Sequence, residues 1–206
     1  MFSIQSAEEV HPLEVQERHE NNTYMPHTSY KIFKTTLGPC GIAWKQRDTM
    51  GRPLVTHFQL PEATAAMTEA RMIGKSGGSK SDSPPPAIAK IIERVCRHFE
   101  GDLQDFSDIE LDIEESPLFA RRVYKAARKI PVGQTRSYGE IAKFAGSPGA
   151  ARAVGHALGQ NPIALIVPCH RVLAAGGKPG GFSAHGGCAT KARMLEIEGA
   201  NVTMFA

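Results

Sequence analysis

The stretch SYGEIAKFAGSPGAARAVGHALG, residues 137–159, constrains the fold more than any other part of the chain. Ser137 followed three residues later by Glu140 is a capping-box pattern, in which each side chain satisfies an orphan amide at a helix start. Gly146 supplies a residue able to end that helix in the left-handed conformation. Ser147 then offers a second N-cap, Pro148 suits a first helical position, and Gly159 predicts the next stop. Two short helices joined by a tight Gly-Ser turn predict a helix-turn-helix. On the second helix Ala151, Val154, Gly155 and Leu158 recur at helical spacing and should face inward, leaving Gly149, Arg152, Ala153 and His156 outward. Its neighbours being Gly and Ala, Arg152 would protrude near the end of the helix that reaches bases in a groove. An Ala-rich packing helix with a solvated arginine gives the same pattern.

Charge favours the groove. Residues 1–115 carry 12 Lys+Arg against 18 Asp+Glu, a net of −6, and residues 116–206 carry 12 against 3, a net of +9. So basic a half suits a polyanion, of which nucleic acid is the commonest. The sign flips around Ser116-Pro117, which predicts three regions: a disordered polar tail over 1–28, an α/β domain over 29–115, and a mostly helical domain over 116–206. In the middle region, YKIFKTTLGPCGIAWKQ reads as two strands around Leu37-Gly38-Pro39, and PLVTHFQL (53–60) as a third strand. A flexible loop is expected over 74–86. AIAKIIERVCRHF puts Ile88, Ile91, Ile92, Val95, Cys96 and Phe99 on one helical face, and DIELDI (108–113) alternates as a strand. PLFARRVYKAARKI is a basic amphipathic helix with Pro117 in its first turn. The fold class expected is α/β: a small N-terminal sheet-plus-helix domain, then a mostly helical, winged helix-turn-helix-like C-terminal domain.

The longest apolar run, Ile163–Val167, is far too short to span a bilayer, and MFSIQSAEEV has neither the basic nor the apolar region of a signal peptide. Cytoplasmic or nuclear residence is therefore expected, and the sequons at Asn21 and Asn201 carry little weight. The cysteines, Cys40, Cys96, Cys169 and Cys188, contain no C-x-x-C and no metal-ligand spacing. Cys96 lies in the apolar stripe of its helix, and Cys188 also reads as packing. Cys169, in IVPCHRVL, ends a β-branched stretch read as extended and buried up to Pro168. Burial alone would make this cysteine inert. It also sits beside His170, Arg171 and the Gly-rich AAGGKPGGFSAHGG, a density of glycine that suits close backbone approach to a ligand. Adjacent residues of an extended segment point apart, so His170 could serve Cys169 only through a water or across a turn. Glu198, in the last turn of a C-terminal helix ended by Gly199, opposes the helix dipole, and a histidine partner would compensate it.

PCHRV, preceded in order by SYGEIA, ARAVGHAL and NP, resembles the active-site region of the O6-alkylguanine-DNA alkyltransferases, the methylated-DNA–protein-cysteine methyltransferases. The likeness runs from about Phe119 to Gly199, and TTLGPCGIAW onward is similar to the family's less constrained N-terminal domain. The resemblance implies direct-reversal DNA repair, with O6-methylguanine as the main substrate and O4-methylthymine as a second. It implies no metal and no cofactor. The partner is duplex DNA bound through the minor groove, with a monomer, cooperative on DNA, as the acting unit. By the same resemblance Cys169 takes the alkyl group, His170 is its base through a water, and Glu198 orients His170. Tyr138 turns the nucleotide out and hydrogen-bonds guanine N3, Asn161 is the hinge between helix and active site, and Arg152 fills the gap left by the flipped base. Ser147 contacts phosphate, while Val167 and Ser183 belong to the substrate pocket. The segment Ser183-Ala184-His185 before Gly186 is longer than in many members. Damage sensors of this kind that flip bases without repair lack the cysteine present here. A redox-responsive regulator would need more base-reading side chains than this helix offers.

Overall fold

A computed structural model describes residues 27–47 and 51–200. Nearly all of the expected 1–28 tail lies outside them. Thr28, its last residue, opens the first strand.

Strands β1 (Thr28–Thr35), β2 (Gly38–Lys45) and β3 (Leu54–Gln59) form an antiparallel meander, with the turn at Thr36-Leu37 and Gly38 and Pro39 already in β2. Strict period 2 sorts β2 onto two faces. Cys40, Ile42 and Trp44 enter the main core, whereas Ala43 joins Tyr30 and Met72 on the other face. Helix α1 (Ala65–Ser76) covers that second face, capped by Thr64 and ended by Gly77 at φ +60°. It comes so close to β2 that a Cβ on Gly41 would sit 2.9 Å from both Met72 and Ile32 side-chain carbons. This helix was not expected from the sequence. Its stripe is thin, with only Thr68 and Met72 buried, so its periodicity is weak. It also shortens the expected 74–86 loop, whose first residues belong to α1 and whose Ser79–Lys80 form β4, parallel to β1.

Helix α2 (Pro86–Phe99) buries Ile88, Ile91, Val95, His98 and Phe99. The expected strand over 108–113 is absent. Only Leu111 bridges Val55, with Val55 N–H donating to Glu110 O at 3.1 Å. Ile109 is buried and Leu111 and Ile113 pack against the core, but backbone pairing with β3 is limited to Val55. Arg128 holds this segment, donating to the carbonyls of Phe106, Ser107 and Ile109 at 2.8–3.0 Å.

The second half contains α3 (Leu118–Ala127), α4 (Tyr138–Phe144), α5 (Ala151–Gly159) and α6 (Cys188–Ile197). Pro117 precedes α3 as its cap rather than opening its first turn. The capping box of Ser137 and Glu140 forms as expected. A two-stranded parallel sheet pairs β5 (Arg136–Ser137) with β6 (Val172–Leu173) and frames the helix-turn-helix. One continuous core runs from Cys40 to Met194 and joins both halves. The architecture is α/β, a small sheet with helices followed by a mostly helical helix-turn-helix region. Among the described residues no helix is long and apolar enough to cross a membrane.

Candidate active site

Cys169 is presented by a turn, not by a strand. After α5, Asn161 donates from Nδ2 to Val167 O at 2.8 Å and accepts Ile163 N–H on Oδ1 at 3.0 Å. That pair of bonds closes a loop in which Leu165 is held at φ +71°, a conformation a branched side chain resists. The expected extended run up to Pro168 is thus a tight turn, because the Asn161 amide replaces the ladder that a strand would need. Cys169–Arg171 then form one 3-10 turn, which lifts the objection that adjacent residues point apart. The outer edge of β3 braces the loop, with Phe58 N–H donating to Pro162 O at 2.9 Å.

The thiol lines an open cleft of about 860 Å³ with Tyr138, Arg152, Gly155, Phe182 and Ser183. Arg152 is exposed on α5, with Val154, Ala157 and Leu158 buried beneath it. Tyr138, first residue of α4, packs its ring so closely against Gly180 that a Cβ there would lie 3.0 Å from the ring and hydroxyl. Gly180 sits at φ +66°, so the glycine-rich loop needs glycine at this point on both counts.

Behind the thiol lies a buried polar network. His170 is fully buried, and its Nε2 meets Glu198 Oε1 at 2.9 Å, while its Nδ1 has no partner among the protein atoms. Arg171 donates from Nε to Glu198 Oε2 at 2.9 Å and from Nη2 to Oε1 at 2.8 Å, and its Nη1 reaches Ile130 O at 2.7 Å. Burial would raise the Glu198 carboxyl, but the bonds from His170, His98 and Arg171 outweigh it and hold the group ionised far below the carboxylate range. Burial lowers the pKa of His170, opposed by Glu198, so the ring is neutral and its free nitrogen can accept a proton. Burial pushes the Cys169 thiol up, and the Asn161 side chain and the charge on Lys191 draw it back. Lys191 is itself buried, with Nζ donating to Val172 O at 2.7 Å and to Pro179 O, 5.9 Å from the Tyr138 ring centroid. Burial brings its pKa down to about 8. This arrangement suits a nucleophilic thiol with a neighbouring base and an electropositive lining.

Cys169, Tyr138, Arg152 and Ser183 therefore share the cleft, and Asn161, His170 and Glu198 support it from behind. Two expectations need correction. Ser147 does not cap α5; its carbonyl accepts Ala150 N–H at 3.1 Å in the preceding turn, and Ala150 is the cap without a side-chain bond. Gly149 at φ +86° interrupts the helical run between Ser147 and Ala151, where α5 begins. Val167 is fully buried and does not line the cleft; its carbonyl instead accepts Asn161 Nδ2 and Cys169 N–H. Arg171, Lys191 and His98 were not singled out from the sequence as parts of the site. Lys191 shares the α6 face of Met194, Leu195 and Glu198 at helical spacing, and His98 follows Ile88, Ile91 and Val95 on α2, so periodicity marks both as buried.

Residues 118–200 match the family described as 6-O-methylguanine DNA methyltransferase, DNA binding domain. A methylated-DNA–protein-cysteine methyltransferase of Mycolicibacterium paratuberculosis is 50% identical over 125 residues, spanning 59% of this chain and 73% of that one. Among solved structures, the Mycobacterium tuberculosis O6-methylguanine methyltransferase superposes with a TM-score of 0.65 at 38% identity, covering 84% of this chain and 93% of its own. The same organism's OGT in complex with DNA gives 0.64 at 37% identity, with 83% and 92% covered. Half-identity over three quarters of a relative leaves no other assignment, and the chain belongs to the methylated-DNA–protein-cysteine methyltransferase family.

Proposed function

We propose that this protein repairs DNA by direct reversal, taking the alkyl group of O6-alkylguanine from duplex DNA and keeping it on Cys169, one transfer per chain. O6-methylguanine is the chief substrate and O4-methylthymine a second. The observation that carries the reading is a thiol in a cleft under the exposed face of a helix-turn-helix, backed by a buried histidine with one free nitrogen. The O6 substituent lies inside the duplex, so the nucleotide must rotate out at a cost of a few kcal/mol. Arg152 takes the vacated place in the stack, and Tyr138 displaces the backbone and then donates to guanine N3. The proton of Cys169 passes through a water to His170 Nδ1. Sulfur attacks the alkyl carbon, the C–S bond forms as the C–O6 bond breaks, and the electron pair returns to the purine. The proton that left sulfur is overall the one guanine gains. Tyr138 and Ser183 hydrogen bonds disperse charge on the departing base, and Lys191 favours the thiolate. A thioether has no route to hydrolysis, so the protein is consumed.

In this reading residues 116–206 bind DNA and carry out transfer, while 29–115 form a bracing α/β domain. In the same reading the protein acts in the cytoplasm or nucleus, where its DNA substrate is. Cys169→Ala should abolish removal of the methyl group from a duplex bearing one O6-methylguanine, yet retain selective binding to that duplex in a gel-shift titration. Residual transfer by the variant would assign the acceptor to another thiol and overturn the reading.

A further inference from the structure

Glu198 accepts one donor more than orientation of His170 and pairing with Arg171 explain. Besides those two residues, Nε2 of His98 reaches its Oε1 at 3.2 Å. His98 belongs to the last turn of α2, in the half of the chain that carries no cleft residue, and is 1% exposed. Its ring packs between Phe99 and Phe106, at centroid distances of 5.7 and 5.3 Å. Gln104 N–H donates to His98 Nδ1 at 3.2 Å, so the ring proton sits on Nε2 and points at the carboxylate. His98 meets Glu198 Oε1 directly, and His170 and Arg171 donate to that same oxygen, all three from the second half.

We propose that His98 is a positioning residue for the transfer reaction, through which the N-terminal half sets the basicity of His170. This rests on His170 being the base for Cys169. Two imidazoles share one carboxylate oxygen, and each donor draws off part of the negative charge that the other would feel. Without His98, Glu198 stabilises protonated His170 more strongly. Because His170 must be unprotonated to accept the thiol proton, the acid limb of the rate profile then moves to higher pH. A residue that only filled space would change the amount of folded protein and leave that limb where it was.

The test is single-turnover methyl transfer from an O6-methylguanine duplex, across the pH range in which histidine titrates, for wild type, His98→Leu and His98→Gln. Thermal unfolding and duplex binding are measured alongside. The expected result is a limb raised by about half a pH unit in His98→Leu, and a limb at the wild-type position in His98→Gln, whose amide donates in place of Nε2. His98→Phe, which keeps a ring between Phe99 and Phe106, replaces the leucine variant if that protein does not fold. A limb that stays in place without the donor, or moves equally in the glutamine variant, overturns the proposal. Wild-type transfer with no acid limb in this range also overturns it and leaves the repair reading standing. A wild type that transfers nothing to Cys169 overturns both.

Discussion

Glu198 ends a helix where the macrodipole disfavours an acid by about a few tenths to one kcal/mol, yet it is 3% exposed. What compensates it is more than the single histidine its position suggested: two imidazoles and a bidentate guanidinium converge on it. Glu198→Gln would leave Arg171 buried beside a neutral amide, and breaking a buried pair of this kind costs about 3–5 kcal/mol. The folded-state pKa lies below the ordinary 4.5, so the ionic contribution is complete above that value and is lost as pH falls below it. Denaturant titrations of wild type and Glu198→Gln should therefore diverge by roughly 3 kcal/mol at neutral pH, with the gap narrowing in acid. A gap that does not change with pH would mean that Glu198 contributes packing rather than charge.

Arg152 is the one charged side chain lining the cleft, and α5 places it there beside Ala151, Gly155 and Gly159. Its task in the proposed reaction is confined to duplex DNA, since a free base needs no flipping. Arg152→Ala should slow transfer from duplex DNA by about tenfold or more, the rate equivalent of roughly 1.4 kcal/mol of lost support for the flipped state. Reaction with free O6-benzylguanine should be nearly unchanged, and equal losses on both substrates would argue against a flipping role. The helix-turn-helix was legible because caps and glycine stops are local chemistry, as the capping box of Ser137 and Glu140 shows. The two segments that do not form the expected strands depend on partners outside the run itself, distant for Val55 and immediately preceding for Asn161. The alternation of 108–113 meets only a single bridge to Val55, and the apolar run before Cys169 is folded by the Asn161 amide into a turn. Neither partner is implied by the run itself.

Across the whole molecule, the site is a joint product of both halves. The cleft and the thiol come from the second, while β3 braces the cysteine loop through Phe58 and α2 brings His98 to Glu198. Cys169, His170 and Glu198 could be found in the sequence because reactive residue types beside glycines, and an acid at a helix end, stand out there. His98, Arg171 and Lys191 did not stand out, for each is a polar residue on a buried face that gains its meaning from a partner across the core. The central claim is that Cys169 itself receives the alkyl group. Intact-protein mass after mixing with a duplex carrying one O6-methylguanine, followed by peptide mapping, tests it most directly. The account predicts a single added methyl group per chain, located on Cys169, with unmodified guanine left in the DNA. Tight, lesion-selective binding with no change in protein mass would contradict it, and would make the protein a sensor of damage whose cysteine does not react.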